Sequence, residues 1–391
     1  MNEQAASARS ASWKTRGAIV LLGALGAVVF NILPLFLGSA SDSLGLNDAQ
    51  LGLLGSAYLG GYAVMIAAGF FWVEHWPWRK TLAGALAGAT VLFSLVGFAQ
   101  DFVLIATLIA GCGVCLGTLY GLGYPAIARL PNPERLIGMK MAAEAALGTT
   151  LLFLLPNTVV IDWGFSGVTW LIAALCLFGL LLVRAFPQPS ELPPAAGPEK
   201  PAADSRRTVI LAMGGLAIYT GGMTGVWAFV ERMGVEGRFE PGQIGGVLGL
   251  SLVLAVAAAF AAAAKGDAGN QHLPHFIGLG GLLCAAALCL GSGDFLAYAA
   301  GVLILNGSWF FVFPYQQALA TRAATSQKVV MLVPAMSALG AAVGPGLAGI
   351  LKTGSSFVPV FGLGIATSIA GFLAFRVVLA NLAPDQEKPA G

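Results

Sequence analysis

The sequence predicts an all-α integral membrane protein of twelve transmembrane helices, arranged as two pseudo-symmetric six-helix bundles. Three observations carry that expectation. The 391 residues are 57% hydrophobic and only 10% charged, whereas a soluble domain carries about 25% charged residues. Runs long and apolar enough to cross a bilayer, which takes about 20 residues, occur twelve times, at 17–38, 49–72, 81–99, 102–128, 136–161, 165–183, 209–230, 243–264, 273–290, 295–319, 329–351 and 357–375. A proline- and charge-rich stretch, 186–207, falls between the sixth and seventh runs and divides the chain into a tail 1–16, a bundle 17–185, a linker 186–207, a second bundle 208–380 and a tail 381–391.

The formal net charge of +2 carries no nucleic-acid signature. Where the cations lie is informative. With the N-terminus placed in the cytoplasm, sixteen of the 20 Lys and Arg residues fall on that side, Arg232, Arg238 and Lys352 fall on the other, and Lys140 lies within a span. That bias predicts a multi-pass protein of the inner membrane with both termini cytoplasmic. All five cysteines lie within apolar runs, so Cys112 and Cys115 read as packing residues and not as a redox pair. The first run is too long for the apolar core of a signal peptide and is interrupted by Asn31 and Pro34, so it reads as a retained span.

The first run carries FNILPLF, where Asn31 and Pro34 mark a break or kink whose freed carbonyls need neighbours. The second opens at Asn47 or Asp48 as N-cap, and Gly52, Ser56 and Gly60 give the four-residue spacing of small side chains that lets helices approach closely. Tyr58 and Tyr62 read as structural. The third run has no distinguishing feature. In the fourth, Gly113, Gly117 and Gly121 repeat the small-residue spacing, with Tyr120 and Tyr124 on another face. The fifth starts at Asn132 as N-cap with Pro133 in the first helical position.

Within the fifth run Lys140 and Glu144 are the only charged residues inside any of the twelve runs. Four residues apart on a helix, they share a face. Counted from Leu136, Glu144 lies about 12 Å into a hydrocarbon layer of about 30 Å. A carboxylate there costs roughly 3 kcal/mol or more in lipid, so it is expected to face other helices or water. Lys140, shallower, is expected to snorkel toward the cytoplasm.

The second half repeats the first. Ala146-Leu147-Gly148 matches Ala338-Leu339-Gly340 at an offset of 192, and Gln50-Leu51-Gly52 matches Gln243-Ile244-Gly245 at 193. Tyr124-Pro125 resembles Phe313-Pro314 at equivalent places in the fourth and tenth runs. A near-constant offset points to duplication of a six-helix unit. The seventh run carries Tyr219, Met223 and Trp227 in one stripe that continues to Glu231 just past its end, and the tenth carries Asn306, Trp309, Tyr315, Gln316 and Gln317.

Six plus six parallel repeats around a cytoplasmic linker resemble the major facilitator superfamily of secondary transporters. The loop between the second and third runs, Gly69 to Lys80, offers Glu74 as the acid and Arg79 and Lys80 as the basic pair of that family's loop motif, with bulky residues in place of its second glycine. The eleventh run holds Gly340, Gly344 and Pro345 in a pattern similar to the GxxxGPxxGG of drug/proton antiporters, whereas the fifth run, where that motif belongs, lacks it. The resemblance implies that the first, fourth, seventh and tenth helices line a central site, with the fifth and eleventh beside them.

Together these readings give an expected function: a secondary active transporter of a small organic metabolite, with an organic anion as one option, proton-coupled through Glu144. Substrate contact or coupling is expected of Glu144, Lys140, Asn31, Tyr120, Tyr124, Tyr219, Trp227, Glu231, Asn306, Trp309 and Gln316, and a conformational latch of Glu74, Arg79, Lys80, Gly340, Gly344 and Pro345. The expected partners are the substrate, protons and the bilayer, with the chain a monomer and with no cofactor, metal or catalytic residue. No HExxH or Walker-type run is present, which argues against a zinc enzyme or ATP drive. Drug or metabolite efflux by proton antiport, and a non-transporting membrane sensor with a transporter fold, are the alternatives.

Overall fold

The computed structural model describes residues 12–192, 206–266, 271–291, 293–324, 329 and 332–382. The N-terminal tail up to residue 11, most of the linker, the tail from 383, and Arg9, Lys200, Lys328 and Lys388 of the sixteen expected cytoplasmic cations lie outside the described residues.

Among the described residues the helices are α1 Trp13–Gly26, α2 Val28–Asn31, α3 Leu33–Leu44, α4 Asp48–Trp72, α5 Trp78–Val96, α6 Phe102–Ala128, α7 Pro133–Leu154, α8 Val159–Gly179, α9 Arg206–Glu236, α10 Pro241–Lys265, α11 Leu273–Gly291, α12 Phe295–Ala323, α13 Leu332–Leu351 and α14 Val358–Leu382. Eleven of them, α4 to α14, are long and apolar enough to cross a membrane. The remaining expected span is shared by α1, α2 and α3, which part at Ala27 and Ile32. Pro34 sits in the first turn of α3, where a missing N–H leaves no ladder bond broken. The break foreseen at Asn31 and Pro34 is thus three pieces of helix, with Asn31 closing the middle one.

Caps set several boundaries. Asn47 accepts from Gln50 N at 2.9 Å and Gln50 returns a bond to Asn47 N at 3.1 Å, a reciprocal cap that starts α4. Asn132 does stand before α7, but in the left-handed region at φ 55° and with no side-chain cap bond. The fifth run was expected to reach residue 161, and α7 stops at Leu154. A 3₁₀ turn, Leu155–Asn157, follows, because Pro156 cannot donate to the ladder. α8 then bends at Gly164, φ 53°, a conformation that favours glycine. α9 overruns its expected end at residue 230 and carries Arg232 and Glu236 on its last turns.

Close backbone approach holds each bundle together. A Cβ at Gly113 or Gly117 would collide with the α4 backbone at Tyr58 and Tyr62, and one at Gly340 or Gly344 with the α9 backbone at Ala217 and Gly221. The seam between the bundles is formed by α4 with α13, α7 with α10, and α3 with α9. Its tightest contacts lie at the end remote from Trp13 and Leu382, called here the far end. Gly52 rests on Pro345, Gly349 rests on the Asp48 backbone, Gly346 N donates to Ser56 Oγ at 2.9 Å, and Thr149 Oγ1 donates to Gly249 O at 3.0 Å. Gly60, next in the small-residue series on α4, has nothing within 4 Å of its Cβ position. Along α4 the two bundles are therefore clasped at the far end and parted toward the near end. Between α7 and α10 contact continues further, as the Phe260 ring, whose Cε1 lies 3.3 Å from the Cβ position of Gly138.

Candidate functional site

Lys140 and Glu144 form an ion pair across one turn of α7, their side chains 2% and 15% exposed. The lysine does not snorkel. Its Nζ stands 3.8 Å from the ring centroid of Tyr120 and 4.8 Å from that of Tyr124, and the two phenols hydrogen-bond each other at 2.9 Å. Glycines make room for its stem: a Cβ at Gly23 of α1 would come 2.7 Å from Lys140 Cε, and one at Gly123 of α6 3.6 Å. Two aromatic faces replace part of the lost water, each worth roughly 2 kcal/mol when desolvated. That is the physical reason the longer route to the membrane surface is not taken.

The tyrosines extend as a ladder. Tyr62 of α4 lies 5.5 Å from Tyr120, and Tyr58 lies 6.0 Å from Tyr62. Tyr124, at the near end of this ladder, is 37% exposed. Asn31 reaches the same turn of α7 from the other side, its Nδ2 donating to the Glu144 carbonyl at 3.2 Å. Glu144 thus lies where α2, α6 and α7 converge.

Across the seam, Trp227 of α9 donates from Nε1 to the Phe30 carbonyl at 3.4 Å, and Phe30 meets Trp309 of α12 edge to face at 6.4 Å. Asn306 Nδ2 donates to Ser251 Oγ of α10 at 2.7 Å. Seven buried polar atoms of this bundle find no hydrogen-bond partner among the described residues, four of them on α9 and α12: Tyr219 Oη, Asn306 Oδ1, Trp309 Nε1 and Gln316 Oε1. Each such orphan costs about 1–3 kcal/mol. The four on α9 and α12 are polar groups free to meet a bound molecule.

Several expected site residues stand elsewhere. Glu231 is not beside the pair: Arg232 Nε binds it at 2.7 Å, Arg232 also holds Asp42 at 2.6 Å and 3.0 Å, and Gly38 packs directly on its carboxylate. It sits at the far end because α9 continues through it. Gly340 and Gly344 pack on α9 and Pro345 packs on α4, so all three are seam or bundle contacts. Arg79 does not pair with Glu74. Its Nη2 binds Glu191 at 2.8 Å and its Nε binds Phe186 O at 2.7 Å, while Glu74 and Lys80 are exposed and form no ion pair among the described residues. The cause is Trp78, fully buried against Phe186 with Nε1 on Val73 O at 2.7 Å, which turns its neighbour toward residues 186–191.

Reasoning from sequence missed Lys352. Its side chain is 2% exposed and binds Asp48 at 3.1 Å and Glu236 at 2.9 Å. With Arg232–Asp42 it ties the two bundles together at the far end. A signal existed, since Lys352 and Arg232 are two of only three cations on the cation-poor side.

Comparison with known proteins places this geometry. The family model described as Major Facilitator Superfamily matches residues 19–333, and the chain belongs to that superfamily of membrane transporters. Among solved structures, a bacterial homolog of the human lysosomal transporter Spinster, in an inward-facing and unoccupied conformation, aligns with a TM-score of 0.71 at 13% identity, covering 95% of this chain and 98% of that one. The nucleoside transporter NupG gives 0.72 at 10% identity, covering 94% and 100%. The human organic anion transporter MFSD10 gives 0.66 at 16%, covering 93% and 99%. At such identities the likeness shows the fold alone. No curated protein matches the sequence.

Proposed function

We propose that the chain is a secondary active transporter of the inner membrane, both termini cytoplasmic, that moves a small organic anion by alternating access and is coupled to protons through Glu144. The bundles 17–185 and 208–380 rock about the seam, and the linker 186–207 tethers them. The protein acts as a monomer, since one chain supplies both bundles. One observation carries the reading: a lysine and a carboxylate, paired and withdrawn from water, lie beside the seam at the level where α4 leaves α13. An ammonium out of water needs an anion beside it. Protonating Glu144 frees that position for the anion of a substrate.

With the termini in the cytoplasm, bundles clasped at the far end correspond to a state open inward. The orphan polar atoms of α9 and α12 support a site between the bundles, and the fold neighbours include a protein whose title names organic anions. The test is uptake into proteoliposomes under an imposed proton gradient. Wild-type protein accumulates organic anions, and Glu144→Gln exchanges them in counterflow without accumulating them. Full proton-driven accumulation by the variant removes the coupling role, and binding without counterflow in the wild type favours the sensor.

A further inference from the structure

The surroundings of Lys140 admit one anion and require one. Apart from Glu144, the ammonium meets the ring faces of Tyr120 and Tyr124 and the glycines at 23 and 123. Ring quadrupoles attract a cation but do not neutralise it. Among the described residues no second cation pairs with Glu144. On α1 the inward-placed Arg16 stands seven residues from Gly23, about 10 Å toward the near end, and Lys265 of α10 closes its helix at that end. The titratable groups around the pair are the phenols of Tyr62 on α4 and of Tyr120 and Tyr124 on α6. From α2 comes only the amide of Asn31.

Resting on the transporter reading, we propose that the substrate is an aromatic monocarboxylate whose carboxylate replaces that of Glu144 on the Lys140 ammonium. Glu144 leaves the pair as the neutral acid, one proton enters with each anion, and the buried site stays neutral throughout. A dicarboxylate brings a second charge, and among the described residues no cation besides Lys140 pairs at this position to meet it. The ring of the substrate follows from the walls. Tyr62, Tyr120 and Tyr124 stand 5.5 Å and 5.3 Å apart on one bundle, suited to offset or edge-on stacking. Phe30 of α2 in the same bundle meets Trp309 of α12 across the seam, with the Trp309 N–H unpartnered among the described residues. The exposed edge of Tyr124 marks the way in.

The experiment uses the full chain in detergent, titrated with benzoate between pH 6 and 8, where a carboxylic acid of ordinary pKa is ionised. Wild-type binding weakens about tenfold per pH unit, because one proton is taken up with each benzoate. Glu144→Gln binds benzoate with an affinity that does not change with pH. The double variant K140Q/E144Q, which keeps the site neutral and elutes as wild type, binds none, and wild type binds no succinate. A pH slope retained in E144Q overturns the proposal, since the proton then travels on benzoic acid itself. So does an absence of benzoate binding by wild type, or wild-type affinity in the double variant. Should the double variant not fold, E144Q decides alone. The transporter reading fails separately: this binding pattern without proton-driven benzoate uptake in vesicles leaves the site standing and removes transport, whereas uptake of another solute without benzoate binding does the reverse.

Discussion

Two sets of ion pairs in this molecule differ in what they join. Lys140 and Glu144 stand one turn apart on α7, so their geometry persists however the bundles rotate. Lys352, just past α13, with Asp48 of α4, and Arg232 of α9 with Asp42 of α3, cross the seam, while Glu236 holds Lys352 from within its own bundle. Pairs of that second kind cannot survive separation of the far end. The first set is therefore available for chemistry in every state of the proposed cycle, and the second stabilises one state. Both involve lysines 2% exposed, so burial alone does not distinguish them. Their connectivity does.

The largest effect is expected where the comparison is most easily broken. Glu144→Gln lowers proton-driven accumulation at least about tenfold in proteoliposomes, an effect of about 1.4 kcal/mol or more, and retained accumulation makes the α7 pair merely structural. Next, Gly52→Leu forces a side chain into Pro345 on the seam, where overpacking costs about 1–3 kcal/mol. It lowers thermal stability in detergent or drives the far ends apart by spin-label distance measurements, whereas Gly60→Leu, on the same helix with open space before it, does neither.

Lys352→Gln leaves Asp48 and Glu236 facing each other without their cation. The population open at the far end rises several-fold, read as faster thiol labelling of a cysteine placed at Ser56, the hydroxyl that meets Gly346 N across the seam. Asp42→Asn moves the same readout less, since that carboxylate is 62% exposed and such pairs are worth about 0–1 kcal/mol. Smallest of all, Arg79→Ala loses a half-exposed pair with Glu191 that lies outside the seam, and it changes stability by less than about 1 kcal/mol with no change in labelling.

Spans were legible because desolvation acts on composition: a run of 20 apolar residues declares itself wherever it lies. The breaks at Asn31, Pro34 and Gly164 were legible only in part, since proline and glycine permit a bend without placing it. Gly52 and Ser56 announced close packing but not that their partner would be α13 of the other bundle, while Gly60, identical in pattern, packs on nothing. The loop from Gly69 to Lys80 read as a latch by resemblance, yet Trp78 took the buried position and sent Arg79 to Glu191. Lys352 was hidden because its partners are remote in sequence, Asp48 by 304 positions.

By itself the sequence determined that this chain lives in a membrane, that its two halves are related, and that one ion pair lies within a span, because transfer of apolar and charged groups out of water depends on each segment's own residues. Only the tertiary structure decided that Lys140 turns inward onto Tyr120 and Tyr124, that Glu231 belongs to the far-end cluster, and that the seam is closed at one end. Those outcomes depend on which faces meet, and a glycine at position 23 opens space for a lysine at position 140 only after the helices have packed.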